Sequence, residues 1–599
     1  MTVRAVGLPG EGEAPRRAAP SLGVRRRLLL VTLLAVGAAI GLRLVRLQVV
    51  DHEPLARMAR AQAQSVEEIP GPRGDIVDRH GRLLAISTPV RVLAIVPRLV
   101  SDRGLRELAR ASRCGCDLRR HRERAWRIVQ RRCDARCVAA VEELVERGIV
   151  PRGAVHWERA YKREYPLGEL AAQTLGFVTR DPGALEGLEL AYNDLLRSPA
   201  RRIVLVRDAK NQGVAVLGGP RTDRAPAALM LTLDVRIQRV LERALDSAMA
   251  RHGAESGAGV VLDPRSGDLL ALASRPAFDP NRYWKARDEA LLNRPLRGEF
   301  EPGSVIKPLV AAALVEGGFY RPGRRVDCEH GAWRTRGRTI HDVHGWGALT
   351  LPEVLAVSSN IGITKFARPL PDTALYGHLA ALGLGRRTGV DLQGESPGRL
   401  PRPGRVARID RDSNAFGYSL SVTPLQLAVA YATIAADGLR PVPHVARAVR
   451  RDGDRWAPLP VPAPQRALSP STAALLRRWL VGVVEDRHGT GSRARVPGFR
   501  VAGKTGTAWH HDPERGGYDR DRLHATFAGF APAEQPRVVV VVSLLVPRRS
   551  NEGGGTVAAP VFAEVMGETL RLLRVDAPVR VRRQSPDDGP RRIAARSAR

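Results

Sequence analysis

At 599 residues the chain is long enough for several domains, and 95 Lys and Arg against 62 Asp and Glu leave a net charge of +33. The positive residues are spread over the whole length, with no zinc-finger spacing, no RNA-binding aromatic motif and no single basic helix. That distribution speaks against nucleic acid as a partner, while a basic surface suits anionic lipid head groups.

Residues 1–27 are rich in Arg, Pro and Gly and read as a disordered tail. Arg25-Arg26-Arg27 then precede a charge-free apolar run, Leu28 to Leu42. Arg43 and Arg46 can snorkel, so a single membrane-spanning helix is expected over 28–47. Arg4, Arg16, Arg17, Arg25, Arg26 and Arg27 lie before it and only two arginines at its far end. This bias places the N-terminus in the cytoplasm and exports the rest. A cleaved signal peptide ending near Gly37-Ala38-Ala39 is the alternative. Gln48–Ser65 reads as a helix leaving the membrane. In Arg73 to Ala85 an Asp-x-x-Gly turn separates two apolar stretches, a hairpin pattern. Residues 102–150 are helical in period.

Four of the five cysteines fall in that helical stretch: Cys114, Cys116, Cys133 and Cys137. Two disulfides in any of three pairings, a zinc site, or free thiols are all compatible with the spacing. Cys328 is left over. Tyr165 to Asn193 reads as mixed loops and helices packed on the first segment. A domain boundary is expected near Pro226, after which Asp234 caps a helix carrying Ile237, Val240, Leu241 and Leu245. Ala258–Asp263 and Asp268–Ala273 form a hairpin around Pro264-Arg265-Ser266-Gly267.

Next comes Glu301-Pro302-Gly303-Ser304-Val305-Ile306-Lys307-Pro308, followed by Leu309 to Val315. The pattern predicts a buried helix beginning near Ser304, with Ser304 and Lys307 on one face. A hydroxyl becomes a useful nucleophile only when a neighbour takes its proton. Lysine can do so if burial keeps it neutral, and free N–H groups at the helix start can face a developing oxyanion. The tetrapeptide alone reads equally as a cap and a snorkelling lysine. Composition adds weight: only six of the 95 basic residues are lysine, Lys162, Lys210, Lys285, Lys307, Lys365 and Lys504. Arginine cannot be deprotonated in a protein, so a lysine at 307 fits a site that needs a removable proton.

Further on, a helix start at Thr350-Leu351-Pro352-Glu353 puts Ser358-Ser359-Asn360 in a loop between helices. Thr423-Pro424 opens a helix running to about Ala436. Lys504-Thr505-Gly506-Thr507 is followed by strands over Thr526–Ala531 and Arg537–Val546, the second apolar enough to be buried on both faces.

S-x-x-K, S-x-N and K-T-G-T in this order resemble the active-site signature of penicillin-binding proteins. With Arg73–Ala85, Tyr165-Pro166, Gly187-Leu188-Glu189, Gly417-Tyr418, Thr423-Pro424-Leu425-Gln426, Gly489-Thr490-Gly491 and Ala558–Phe562, the chain resembles the class B branch. Ser358-Ser359-Asn360 and the Thr at 507 are most similar to its division-type members. The likeness runs from about Arg43 to about Leu573; the cysteines and the heavy arginine content depart from the family pattern.

The resemblance implies a multidomain α+β chain. Its parts are a cytoplasmic tail (1–27), a transmembrane helix (28–47) and an elongated mixed α/β pedestal of the dimerisation type (48–225). A serine β-lactamase-like transpeptidase domain, an antiparallel sheet flanked by helices (226–575), and a loose basic tail (576–599) follow. It implies a septal peptidoglycan D,D-transpeptidase of the bacterial inner membrane, with its catalytic domain in the periplasm, acylated by β-lactams. Ser304 would attack the D-Ala-D-Ala carbonyl, Lys307 take its proton and Ser358 relay a proton to the leaving group. Asn360 would hold Lys307 and the substrate amide. Lys504 would supply positive charge near the substrate carboxylate, which Thr505, Gly506 and Thr507 would line. No cofactor and no metal are implied. Expected partners are stem peptides, β-lactams, the bilayer, a membrane glycosyltransferase and other division proteins. An elongation-type transpeptidase, a D,D-carboxypeptidase and a catalytically idle division scaffold are the alternatives.

Overall fold

A computed structural model describes residues 22–577 apart from 70, 125, 180–182, 199–200, 208–212, 219–225, 452, 454, 513–515 and 548–551. The expected tails therefore lie outside the described residues up to 21 and from 578 onward. The described residues of 1–69, 92–158 and 201–221 gather in one compact unit, and those of 70–91, 159–200 and 222–599 in a second.

In the first unit the opening helix spans Leu22–Val45 and continues as a π-turn, Arg46–Val50. The apolar stretch Arg26–Val50 is 25 residues long, and none of it is buried. That length exceeds the roughly 20 residues needed to cross a bilayer, and the run is longer than the expected 28–47. The helix expected over Gln48–Ser65 is shorter than read: it occupies His52–Ala63, and Gln64–Ile69 is a strand. Cross-strand pairing with Arg201–Arg207, itself paired with Gly213–Gly218, overrides the local preference.

The stretch 102–150 is also only partly helical. Helices Asp102–Ser112 and Ala135–Glu146 flank a strand, Arg127–Cys133, where β-branched Ile128 and Val129 favour extension. Leu93, Ile95, Leu105, Leu108, Leu118, Val141 and Val150 form the core beneath them. Cysteines close in sequence pair, Cys114 with Cys116 and Cys133 with Cys137, each with a Cα–Cα distance of 5.3 Å. Cys328, in the second unit, is free and buried.

The Tyr165–Asn193 segment belongs to the second unit, where Arg73 of the hairpin segment donates to Glu189 and Asn193. The reason is polar as well as apolar. Gln173 donates to the carbonyls of Pro276 and Ala290, and Ala171 N–H donates to Glu242. The Arg73–Ala85 hairpin sits in the same unit, its two-residue strand Ile76–Val77 lying between Leu83–Ile95 and Ala228–Leu231. Buried Asp78 closes the turn by accepting from His80 and Arg82 N–H, and also accepts from Val235 N–H.

The heart of the second unit is a five-stranded antiparallel sheet: β1 (Ser256–Leu262), β2 (Leu269–Arg275), β3 (Ala502–Asp512), β4 (Gly517–Ala531) and β5 (Val538–Pro547). Its order is β2-β1-β5-β4-β3, so β3 is an edge. Helices α1 (Val235–His252) and α6 (Ala559–Leu572) cover one face. The other face meets α5 (Pro424–Ala435), whose core is shared by α2 (Lys307–Glu316), α3 (Leu351–Val357) and α4 (Asn360–Ala367). Along β5, Val538, Val540 and Val542 enter the first core, while Val539 and Val541 enter the second. The run of valines is thus a strand buried on both faces, each side chain contributing about 1.5–3 kcal/mol. This rigid sheet holds β3 beside the start of α2.

Candidate active site

Gly303–Ile306 is a single 3-10 turn, and the α-helix begins only at Lys307, later than the sequence pattern suggests. The cause is Gly303, with φ of +55°, whose N–H donates to Gly417 C=O at 3.0 Å. A Cβ on Gly303 would stand 3.0 Å from the Thr507 carbonyl, and one on Gly506 would stand 2.9 Å from the Pro302 carbonyl. Two glycines therefore let the Ser304 turn press against the β3 edge. Buried Tyr431 of α5 pins the turn by donating to Val305 C=O at 2.8 Å. The Thr507 carbonyl faces the turn, and in an extended strand the N–H and C=O of one residue point the same way. The Thr507 N–H thus faces Ser304, whose own N–H lies in the first turn, where partners within the helix are lacking. These are two donors on either side of the Ser304 hydroxyl.

Ser304 is half-buried, and its Oγ has no hydrogen-bond partner among the described residues. Lys307 is fully buried. Its Nζ donates to Ser358 C=O at 2.5 Å and Ser358 Oγ at 3.2 Å. Burial pulls its pKa down to about 7, against a smaller opposing pull from Asp342 and Cys328. Lys504 is fully buried too, and donates to the same Ser358 Oγ at 2.9 Å and to Thr505 C=O and Oγ1 at 3.2 Å. Burial first, and the charge of Lys307 second, hold Lys504 well below the ordinary lysine value. Since each nitrogen lies within 3.2 Å of one oxygen, their separation is at most about 6 Å. Two ammonium groups at that range repel by about 3 kcal/mol at an effective dielectric constant near 20. Protonation of both amines at once is therefore disfavoured.

Ser358 can bridge them because it occupies the left-handed C-cap of α3, with φ of +63°. Ser359 then caps α4, accepting from Gly362 N–H at 2.8 Å. The loop expected here is thus only two residues long. Of the two contacts expected of Asn360, the one to Lys307 is not made. Its side-chain amide donates to His341 C=O at 2.9 Å, and among the described residues it makes no hydrogen bond to Lys307. The rest of the motif is held by Asp342, which accepts from Asn360 N–H at 2.5 Å, Ile361 N–H at 3.0 Å and Ser359 Oγ at 2.5 Å. On the opposite side Thr505 Oγ1 shares a hydrogen bond with Thr490 Oγ1 at 2.8 Å. Thr507 is exposed, and its Oγ1 accepts from Gly554 N–H at 3.0 Å.

The structure so brings Lys307, Ser358, Lys504 and Thr505 into direct contact, sets Ser304 and Thr507 on facing elements, and leaves Asn360 bound to a neighbouring loop. His341 and Asp342 escaped the sequence reading: they end and follow a short strand, Arg338–His341, with no local pattern tying them to Asn360. Thr490 was visible as part of Gly489-Thr490-Gly491, without a role.

Two family models match the chain. One is described as the penicillin binding protein transpeptidase domain, over residues 257–567, the other as the penicillin-binding protein dimerisation domain, over residues 68–222. The probable peptidoglycan D,D-transpeptidase PbpC of Pseudomonas aeruginosa is 35% identical over 566 residues, covering 92% of this chain and 95% of its own. Peptidoglycan D,D-transpeptidase FtsI of Escherichia coli K12 is 33% identical over 564 residues, covering 91% of each chain. The crystal structure of penicillin binding protein 3 from Mycobacterium tuberculosis complexed with aztreonam matches with a TM-score of 0.66 at 29% identity. That match spans 86% of this chain and 98% of that one.

Proposed function

The chain belongs to the penicillin-binding proteins that carry a transpeptidase domain, and we propose on that footing that it is a membrane-anchored peptidoglycan D,D-transpeptidase of cell division. Relatives named FtsI support the division role, and the apolar Arg26–Val50 helix supplies the anchor. The arginine bias before that helix supports a cytoplasmic N-terminus and an exported catalytic domain, and the FtsI relatives support enrichment at the septum, where a glycosyltransferase and other division proteins would be its neighbours. We place the pedestal over 48–225 and the catalytic domain over 226–575.

One observation carries the enzymatic reading: two buried amines converge on Ser358 Oγ beside an unpartnered hydroxyl at Ser304. Ser304 Oγ attacks the carbonyl between the two D-Ala residues, and its proton passes to neutral Lys307. A base whose pKa lies near the working pH is the most effective kind. The N–H groups of Ser304 and Thr507 stabilise the oxyanion, and losing one such donor typically costs about 10²–10³ in rate. The proton then travels from Lys307 through Ser358 Oγ to the leaving D-Ala nitrogen, the C–N bond breaks, and a Ser304 ester remains. Thr505 and Thr507 hydroxyls bind the substrate carboxylate, whose negative charge favours protonation of Lys504 while it is bound. The amine of a neighbouring stem peptide attacks the ester, its proton passes through the pair to Ser304 Oγ as the ester C–O bond breaks, and the cross-link forms with Ser304 restored. A β-lactam enters the first half of this sequence and stops at the ester.

Labelling with fluorescent penicillin tests the reading. The wild-type chain should take the label and Ser304→Ala should not; an unlabelled wild type would contradict it.

A further inference from the structure

In the first unit, Arg119-Arg120-His121-Arg122-Glu123-Arg124 and the nearby Arg127 put five arginines within nine residues. Three of them are accounted for. Arg119 donates to Asp117 at 2.9 and 3.1 Å, Arg120 lies 4.0 Å from the same carboxylate, and Arg122 donates to Asp102 at 3.0 Å. Arg124 and Arg127 have no ion pair and no side-chain hydrogen bond among the described residues.

Exposed arginines are common on this chain and need no partner but water. Arg127 differs from them, because it is half-buried and its Nε is closed off from water without an acceptor. Beside it, Trp126 has its ring 4.7 Å from that of His156, and its indole N–H is also buried without an acceptor. Buried donors are rarely left unpaired, and two on adjacent residues call for an explanation. A guanidinium cannot escape by shedding its proton, as a buried lysine can. His121 stands in the same field: partial burial first, then the charges of Arg127 and Arg124, hold its pKa below the ordinary histidine value. The Asp117 carboxylate that opposes them is already engaged by Arg119. The segment is held at both ends. Asp117 caps the 3-10 turn Leu118–His121, whose Leu118 lies in the core of the unit, and Arg127 opens the strand that ends at the Cys133–Cys137 disulfide.

We propose that Arg124, Trp126 and Arg127 form an anion site in the first unit that takes a terminal phosphate group. The donors set the class. Such a group carries close to two negative charges and three acceptor oxygens, which match two unpaired guanidinium groups and one indole N–H. A carboxylate is satisfied by a single guanidinium fork, which leaves the second cation and the indole without a partner. Arg124 and the outer nitrogens of Arg127 meet the phosphate first. Rotation of the Arg127 and Trp126 side chains then turns their sealed N–H groups onto its oxygens. The group can arrive as free phosphate or on a lipid head group, since the chain carries a helix long enough to cross a bilayer. Ser304 belongs to the other unit, so the site stands or falls apart from the catalytic reading.

Isothermal titration calorimetry on the full chain in a neutral detergent tests the site. One arm titrates inorganic phosphate and the other dihexanoyl phosphatidic acid below its micelle concentration, with acetate as the carboxylate control. The wild type should bind at least one of the two phosphates more tightly than acetate. Arg124→Gln/Arg127→Gln should weaken that binding by at least about a hundredfold, as two charge-assisted contacts of ordinary strength imply. Trp126→Phe keeps a ring beside His156, removes the indole N–H and should weaken it by about fivefold. That single variant decides the matter if the circular dichroism spectrum of the double variant departs from wild type. Inorganic phosphate binding that the variants lose assigns the site to the free ion; binding of the lipid alone, lost in the same way, assigns it to a head group. No binding of either phosphate by the wild type, equal affinity in the wild type and both variants, or acetate bound as tightly as phosphate would overturn the proposal.

Discussion

Glu189 and Lys307 are both fully buried charged side chains in the same compact unit, and they keep opposite company. Glu189 accepts from Arg73 at 2.8 Å and from Arg163 at 2.6 Å, with Tyr165 Oη adding a third donor at 3.3 Å. Arg73 also reaches Asn193, and Arg163 the Gly74 carbonyl. Opposite charges meet there and fasten the Arg73 hairpin to the segments carrying residues 163 and 189. Lys307 and a second buried lysine, Lys504, both reach one neutral hydroxyl, and the pull of Asp342 and Cys328 is smaller than the effect of burial. A buried charge that finds its opposite is scaffolding; one that finds its like must shed a proton. The second arrangement costs stability and yields a base, which marks it as the chemical centre.

The comparison can be broken by giving Lys307 a charge it cannot lose. Lys307→Arg should cut β-lactam acylation by about 10³–10⁴-fold, the upper range for losing a general base, with its circular dichroism spectrum retained. Substantial acylation by that variant would mean the amine is not the proton acceptor. At the paired cluster the reverse outcome is expected. Glu189→Gln leaves two guanidinium groups facing a neutral amide, and should lower unfolding stability by at least about 3 kcal/mol, as breaking buried pairs does. The acylation rate of the remaining folded protein should stay close to wild type. Denaturant unfolding and stopped-flow acylation on one preparation separate the two effects, and a rate collapse without a stability loss would show the cluster to be catalytic instead.

Much of this site was legible because its chemistry is spelled in short runs: a serine and a lysine three apart, then S-x-N, then K-T-G-T. What stayed hidden depends on positions far apart in the chain. Nothing around Asp342 announces that its carboxylate will hold the backbone of Asn360 and Ile361. Asn360 itself was misjudged for the same reason, since the His341 carbonyl that takes its amide cannot be placed from periodicity. The helix expected from Ser304 begins as a 3-10 turn and becomes an α-helix only at Lys307, where the turn lies close to the Thr507 carbonyl of a distant strand. The anchoring of Tyr165–Asn193 through Gln173 was hidden too, because its partners at Pro276 and Ala290 lie over a hundred residues away. By contrast the helix starts at Thr350 and Thr423 were readable, because each capping box is complete within four residues.

The most direct test is the pH dependence of acylation. Lys307 has its pKa lowered from the ordinary lysine value to about 7, so protonation removes the base as pH falls through that value. The second-order rate constant for β-lactam acylation, measured from pH 5 to 9 with the full chain, should be level above about pH 8. Below about pH 7 it should drop close to tenfold per unit. A rate that stays flat down to pH 5, or that keeps climbing to pH 9 as an ordinary lysine would dictate, would contradict a neutral buried amine as the proton acceptor.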